Sequence, residues 1–389
     1  MTEDDRAFVE RVRTIAIEVA AANADEVDRE SRFPRETIDA LRAVRALSAF
    51  IPTSHGGDGL SFTAIARACE ELARRCSASG MVFAMHQIKL GSVVRHAIET
   101  PFFAQYLRDV AAQQRLIASI TSEVGVGGDM RSSVCAVEVV DDDTRALTKQ
   151  ATTISYGAHC DDLFATARRA PDAEASDQVL VLLRRADTGL EQTATWDSLG
   201  MRGTCSPGFV VSATFPAEHI VPAPFATIAA ESMVPWSHIL WSHVWVGIAG
   251  EAFERARAFV RASARRSPGV VPATAGRLSE LSSVLAQMRA EVEAVRDGYV
   301  VLMAQPDGAS ELQTLGYAIR INNLKIGASE RTAEICHGAL QICGMAGYKN
   351  DSPFSIGRQL RDSLSAALMV GNDRIHATNA RLWLVHKAD

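Results

Sequence analysis

A chain of 389 residues, 47% hydrophobic and 22% charged, can bury a core without disulfide or metal staples. Its net charge of −6 and isoelectric point near 6.0 argue against nucleic acid, which requires a basic face. The seven cysteines, an odd number with no C-x-x-C pair, argue against a disulfide framework or a metal cluster. They suit inert buried thiols in a reducing cytoplasm. The acidic start MTEDDRAFVERVR has no apolar core, so no signal peptide is expected. The most apolar long stretch, residues 234–253, carries two histidines and two serines and reads as a buried helix, not a membrane span.

In chain order, residues 1–114 have helical texture. Phe8, Val12, Ile15, Ala16 and Val19 recur at spacings of three and four, as do Ile65, Ala68, Cys69 and Leu72. Ser61 is a plausible helix start and Gly80 a plausible stop. Residues 52–59, PTSHGGDG, form a loop by composition. Residues 115–222 change character. LIASI, CAVEVV, ATTIS, DLFATAR, QVLVLLRR and GFVVSATF are short strand-like runs separated by polar turns, and they predict an antiparallel sheet or barrel. In residues 223–389 helices return. Leu278, Leu281, Leu285, Met288, Val292, Val295 and Tyr299 form one apolar stripe, residues 311–342 predict another long helix, and residues 359–386 one or two more. The fold class is therefore α+β: an N-terminal helical domain, a middle antiparallel β domain and a C-terminal four-helix bundle.

Four short motifs interrupt these elements. ITSEVGVGGDM (120–130) places Gly125, Gly127 and Gly128 after a strand, where free backbone N–H groups suit a phosphate and a plain turn is the alternative. TTISYGAHCDD (152–162) reads as a strand ending at Ser155. LGMRGTCSPGF (199–209) is a small-residue loop, and ICGMAGYKNDSPF (342–354) follows a helix with Gly344 as a natural C-cap.

Their order resembles the acyl-CoA dehydrogenase family over nearly the whole chain. The resemblance implies FAD held between the β domain and the bundle, with Thr121 and Ser122 at the flavin ring and Gly127 and Gly128 at the pyrophosphate. Ile154 and Ser155 would lie at the ring's second edge. Arg265, Gln341 and Gly344 would serve the dinucleotide, Arg265 by reaching a neighbouring subunit, and Asn372 stands where a FAD contact is expected. It further implies a homotetramer or homodimer, an acyl-CoA or acyl-carrier thioester as substrate, and an electron-transfer flavoprotein or dioxygen as acceptor.

The family's proton-abstracting glutamate is replaced. Counting from Arg361-Asp362, its position is Val370, and the alternative position used by some relatives is Ser237. Valine cannot supply the base that typically contributes about 10²–10⁴-fold. His238 and Asp373 are the candidates for a displaced base. The expected activity is oxidation of the α,β bond of an acyl thioester. A flavin-dependent monooxygenase and a catalytically silent homologue on the same fold are the alternatives. Phe83, Met85 and Met369 are candidates for an acyl tunnel, although such residues at helical spacing also suit plain core.

Overall fold

The computed structural model describes residues 1–127 and 129–387. Fourteen α-helices and seven strands follow one another among them. The helices of the first third are α1 (Glu3–Ile15), α2 (Ala21–Glu30), α3 (Arg35–Ala43), α4 (Phe62–Arg75), α5 (Ser77–His96) and α6 (Pro101–Gln113). The strands are β1 (Ile117–Ile120), β2 (Glu138–Val139), β3 (Thr144–Ala151), β4 (Asp162–Arg168), β5 (Gln178–Arg184), β6 (Thr188–Gln192) and β7 (Phe209–Pro216). The last third contains α7 (Phe225–Ile228), α8 (Val234–Arg266), α9 (Ala275–Met303), α10 (Gly308–Leu312), α11 (Leu315–Cys343), α12 (Met345–Tyr348), α13 (Gly357–Leu364) and α14 (Asn372–Trp383). The expected class of helices, then sheets, then helices is observed.

Local chemistry explains the first elements. Thr2 caps α1, accepting from the Asp5 amide at 3.1 Å while Asp5 accepts from the Thr2 amide at 2.9 Å. Asp5 also accepts from the amide and hydroxyl of Ser61 at 3.0 and 2.9 Å. Ser61 is itself the N-cap of α4, as its sequence position suggests, so one buried carboxylate ties two helix starts together. Gly80 is not a helix stop. The break falls at Cys76, whose backbone is extended. Gly80 lies inside α5, where an added Cβ would sit 2.7 Å from that of Ala73 on α4. It is a packing glycine.

The strands form two sheets. One is β1-β4-β5, the other β2-β3-β7-β6. Every pair is antiparallel except β1–β4, which runs parallel. A parallel pair needs a long crossover. Here the intervening chain passes through β2 and β3 of the second sheet and supplies it without a helix. The strand expected over ATTIS and ending at Ser155 is not formed; strand β3 occupies Thr144–Ala151, a stretch not read as a strand, and shares only Ala151 with it. Beyond it the amides of Thr153 and Ile154 donate to Ser122 Oγ and the Pro207 carbonyl, so that segment leaves the ladder. Thr188 and Gly189, the end of the polar segment RRADTG (184–189) that separates two of the strand-like runs, instead open strand β6.

The predicted stripe on α9 faces inward: its six residues from Leu281 to Tyr299 are buried. The first half of α8 is buried on all sides, packed against α4, α5, α9 and α11. No helix among the described residues is long and apolar enough to cross a membrane, and no cluster there could hold a metal ion.

Candidate functional site

A cavity of about 310 Å³ opens where the first sheet, α5, α8 and the turn after α13 meet. Helix α5 supplies Met81, Met85, Ile88 and Lys89. The strand β1 and the loops beyond it supply Ser119, Thr121, Ser122 and Met130. Thr153, Ser155, Thr204 and Ser206 add hydroxyls, and Trp196 and Met201 close one side. Met233, Ser237 and Trp241 come from the start of α8, and Ser365, Met369 and Val370 from the 365–371 turn. One wall is thus a row of hydroxyls on irregular backbone. The other is apolar and rich in methionine, a polarizable lining that adapts to ligand shape.

Hydrogen bonding fixes the hydroxyl wall. Ser122 Oγ donates to the Thr153 carbonyl at 2.6 Å and accepts from the Thr153 amide at 3.1 Å, clamping two loops together. Ser155 Oγ accepts from Ser206 Oγ at 2.9 Å. Ile154, expected to face the ring, is instead fully buried, and its amide is taken by Pro207 at 3.0 Å. Its side chain fills core because the chain turns there, with Tyr156 at φ 45° and its hydroxyl donating to Ile117.

The glycine loop rests on a buried ion pair. Lys149 Nζ contacts Glu123 Oε2 at 3.0 Å, and Ser133 Oγ donates to the same oxygen at 2.7 Å. Burial works against ionising Glu123, but Ser133 and Lys149 outweigh it and hold its carboxyl below the usual range. The motif's acidic residue is therefore a lock and not a reactant. Gly125 and Gly127 have φ of 93° and 55° and are exposed; Gly128 lies outside the described residues. An added Cβ on Gly127 would stand 3.8 Å from Nη2 of Arg374. Nη1 of Arg374 is buried without a hydrogen-bond partner among the described residues. Such a group calls for an acceptor. A diphosphate between the glycine loop and the start of α14 would provide one, and a flavin ring fits the hydroxyl wall beside it. These residues fit FAD.

Two sequence motifs lock together at the cavity's edge. The Met201 amide donates to the buried carboxylate of Asp362 at 2.7 Å, and Arg361 pairs with Asp28. Gly200 is required here, because an added Cβ would lie 2.2 Å from the Arg361 carbonyl oxygen.

The two candidate bases are not brought to the cavity. His238 is buried, its Nδ1 lies 3.2 Å from the Ile321 carbonyl on α11, and it is absent from the lining formed by its helix neighbours Ser237 and Trp241. Burial pushes its imidazole down to about 4, so it is neutral near pH 7. Asp373 is exposed in the first turn of α14, where a carboxylate complements the helix dipole. Asn372 also turns away. It is buried against α11, accepting from Lys325 Nζ at 2.6 Å and donating to Ser329 Oγ at 3.1 Å. Gly344 is the C-cap of α11 with φ 56°, as expected, and is exposed. Arg265 and Gln341 are exposed too, and none of the three lines the cavity. Of the tunnel candidates, Met85 and Met369 line it, whereas Phe83 is core.

Val370 does reach the cavity, at φ 60°. A β-branched residue there is a conformational outlier. Tyr156, Met201 and Cys205 also have positive φ, so uncommon backbone gathers around this site. Sequence reasoning missed Arg374 and Lys89. The signal for Lys89 was available: it is the only Lys, Arg, Asp or Glu between Arg75 and Arg95, on a helix with apolar residues all round.

Known proteins agree with this geometry. Residues 2–114 match the family model of the acyl-CoA dehydrogenase N-terminal domain, and residues 229–382 that of the C-terminal domain. Cyclohex-1-ene-1-carbonyl-CoA dehydrogenase of Syntrophus aciditrophicus is 23% identical over 96% of this chain and 88% of its own length. Among solved structures, FMN-bound TdsC of Paenibacillus sp. A11-2, a dibenzothiophene monooxygenase, superposes with a TM-score of 0.85 at 20% identity, covering 98% of both chains. Butyryl-CoA dehydrogenase of Megasphaera elsdenii gives 0.81 at 19% identity, covering 99% of both. With both terminal domains matched and a flavin-sized cleft between them, the chain belongs to the acyl-CoA dehydrogenase family and is a flavin-dependent oxidoreductase with FAD as its cofactor.

Proposed function

We propose that the protein oxidises the α,β bond of an acyl thioester carried on CoA or a carrier protein. The observation that carries this reading is the cavity itself, a clamped hydroxyl wall facing a methionine-rich apolar wall at the junction of sheet and bundle. FAD supplies the acceptor for the hydride leaving the β-carbon. Thr121, Ser122 and Ser155 hold the ring's edge, and Gly127, Gly128 and Arg374 its diphosphate. Met81, Met85 and Met369 exclude water from the acyl group, which keeps the reacting bond in a low-dielectric slot. Arg265, Gln341 and Gly344, exposed on the bundle surface, serve the dinucleotide of a neighbouring protomer in a homotetramer or homodimer. The exposed Met345 and Tyr348, which follow Gly344 in the chain, support such an assembly. Electrons pass to an electron-transfer flavoprotein or to dioxygen.

The second reading is a flavin-dependent monooxygenase. It is favoured by one observation: no carboxylate or histidine of the described residues lines the cavity, and Val370 and Ser237 hold the two positions where one would stand. Mixing the FAD-loaded protein with a panel of acyl-CoAs without oxygen separates them. Loss of the visible flavin absorbance is expected for the dehydrogenase. Bleaching only after addition of NAD(P)H or a reductase, followed by oxygen uptake into product, would replace it with the oxygenase.

A further inference from the structure

We propose that Lys89 is the proton acceptor of this active site, taking the α-hydrogen of the bound thioester as a neutral amine. The inference rests on the dehydrogenase reading and adds to it the missing base. Lys89 is the one side chain of the cavity lining, among the described residues, that carries a strong proton-accepting group. The rest are hydroxyls, thioethers, indoles and aliphatic groups.

The lysine is 2% exposed, and its Nζ lies 2.9 Å from the Met233 thioether, a weak acceptor that neutralises no charge. Charged groups on the elements packed against it are committed elsewhere. Arg95, further along α5, pairs with Glu231 at 2.8 Å. His96 lies 3.1 Å from Ser232 Oγ, and His238 on α8 lies against Ile321. Strand β1, Ile117–Ile120, has no ionisable residue. The buried polar residues just before Lys89 in the chain, His86 and Gln87, bond away from the cavity. His86 accepts from the Ile117 amide and contacts the Leu47 carbonyl, and Gln87 donates to the Ala46 carbonyl. An ammonium without a counter-charge in an apolar pocket is disfavoured, and burial accordingly pushes Lys89 down to about 7. A free amine is then present at neutral pH, as buried lysines provide in general base catalysis.

The step balances within the protein and its substrate. The Cα–H bond breaks, a new N–H bond forms on Nζ, and the C–H electron pair stays on the thioester as its enolate. Lys89 ends as an ammonium beside that anion, and the proton leaves to water after release. Met233 and the adjacent Ser237, whose hydroxyl donates to the Met233 carbonyl at 2.6 Å, fix the height at which Nζ stands.

The test uses an acyl-CoA with sulfur in place of its β-carbon, which binds but has no hydride to give. The FAD-loaded protein in D₂O should exchange the α-hydrogens, followed by NMR, with a rate rising as pH passes about 7. Lys89→Met, an apolar residue of similar length, should lower exchange by about 10²-fold or more while the ligand still binds. Lys89→Arg keeps the charge but cannot act as a neutral amine and should fail equally. Absence of exchange in the wild type, unchanged exchange in Lys89→Met, or retained exchange in Lys89→Arg each overturns the role. The last outcome would make the residue an anion anchor. Exchange that depends on Lys89, in a protein whose flavin no saturated thioester bleaches, would sink the dehydrogenase reading and leave this one standing.

Discussion

At Val370, an aliphatic side chain in left-handed backbone lines the cavity at the place where the sequence resemblance leads one to expect a carboxylate. The turn brings the Val370 side chain to the cavity, where a longer acidic side chain would also reach. Val370→Glu therefore tests whether the remaining wall is competent. Its expected outcome is a rise of about 10²-fold in the rate at which a saturated acyl-CoA bleaches the flavin, read by anaerobic stopped-flow. An unchanged rate would mean that the substrate's α-carbon does not lie beside this turn. His238 gives the complementary case. Its position beside Ser237 suggests chemistry, but one residue of rotation on α8 turns it toward α11 instead of the cavity. His238→Gln should leave flavin reduction within about threefold of wild type, because the ring lies against the Ile321 carbonyl on α11 and is absent from the cavity lining.

Elements meet at this site through small residues and buried charges. The loop carrying Gly200 can approach α13 closely enough for Asp362 to cap the Met201 amide only because no Cβ intervenes. Gly200→Ala should cost about 3 kcal/mol in denaturant unfolding, the upper range for a single substitution, and should loosen FAD as the loop withdraws. A neutral result in both measurements would place that loop outside the cofactor's support. Strand β3 is held to the glycine loop by the Glu123–Lys149 pair, an element-level contact invisible to strand periodicity. Asn372 works in the same manner, pinning the start of α14 to α11 through Lys325 and Ser329. This explains why Asn372 faces the bundle and not the cofactor.

Across the whole molecule, buried imidazoles make stability depend on pH, His86 and His238 prominent among them. His86 and His238 are both pushed by burial from 6.5 down to about 4. Between those values the unfolded chain binds protons that the fold refuses, so stability is present above about pH 6.5 and is lost as pH falls toward 4. Each histidine can contribute at most about 1.4 kcal/mol per pH unit. Urea midpoints at pH 7.0, 5.5 and 4.5 should fall in that order, and less steeply once both are replaced by Gln. A flat series would show that water reaches the rings. The helical periodicity of α1, α4 and α9, the Ser61 cap, the apolar α8 and most strands could be read from the residues, because they follow from spacing and local hydrogen bonding. So could the presence of a flavin site, from four motifs in order. The tertiary structure decided the rest: which face of α8 looks at the cavity, that β1 and β4 pair in parallel, that Lys89 lines the cavity and that Arg374 lies beside Gly127. Those outcomes depend on contacts between residues far apart in the chain. A linear pattern records a side chain's chemistry and its repeat, but the direction it points is set by what packs against it.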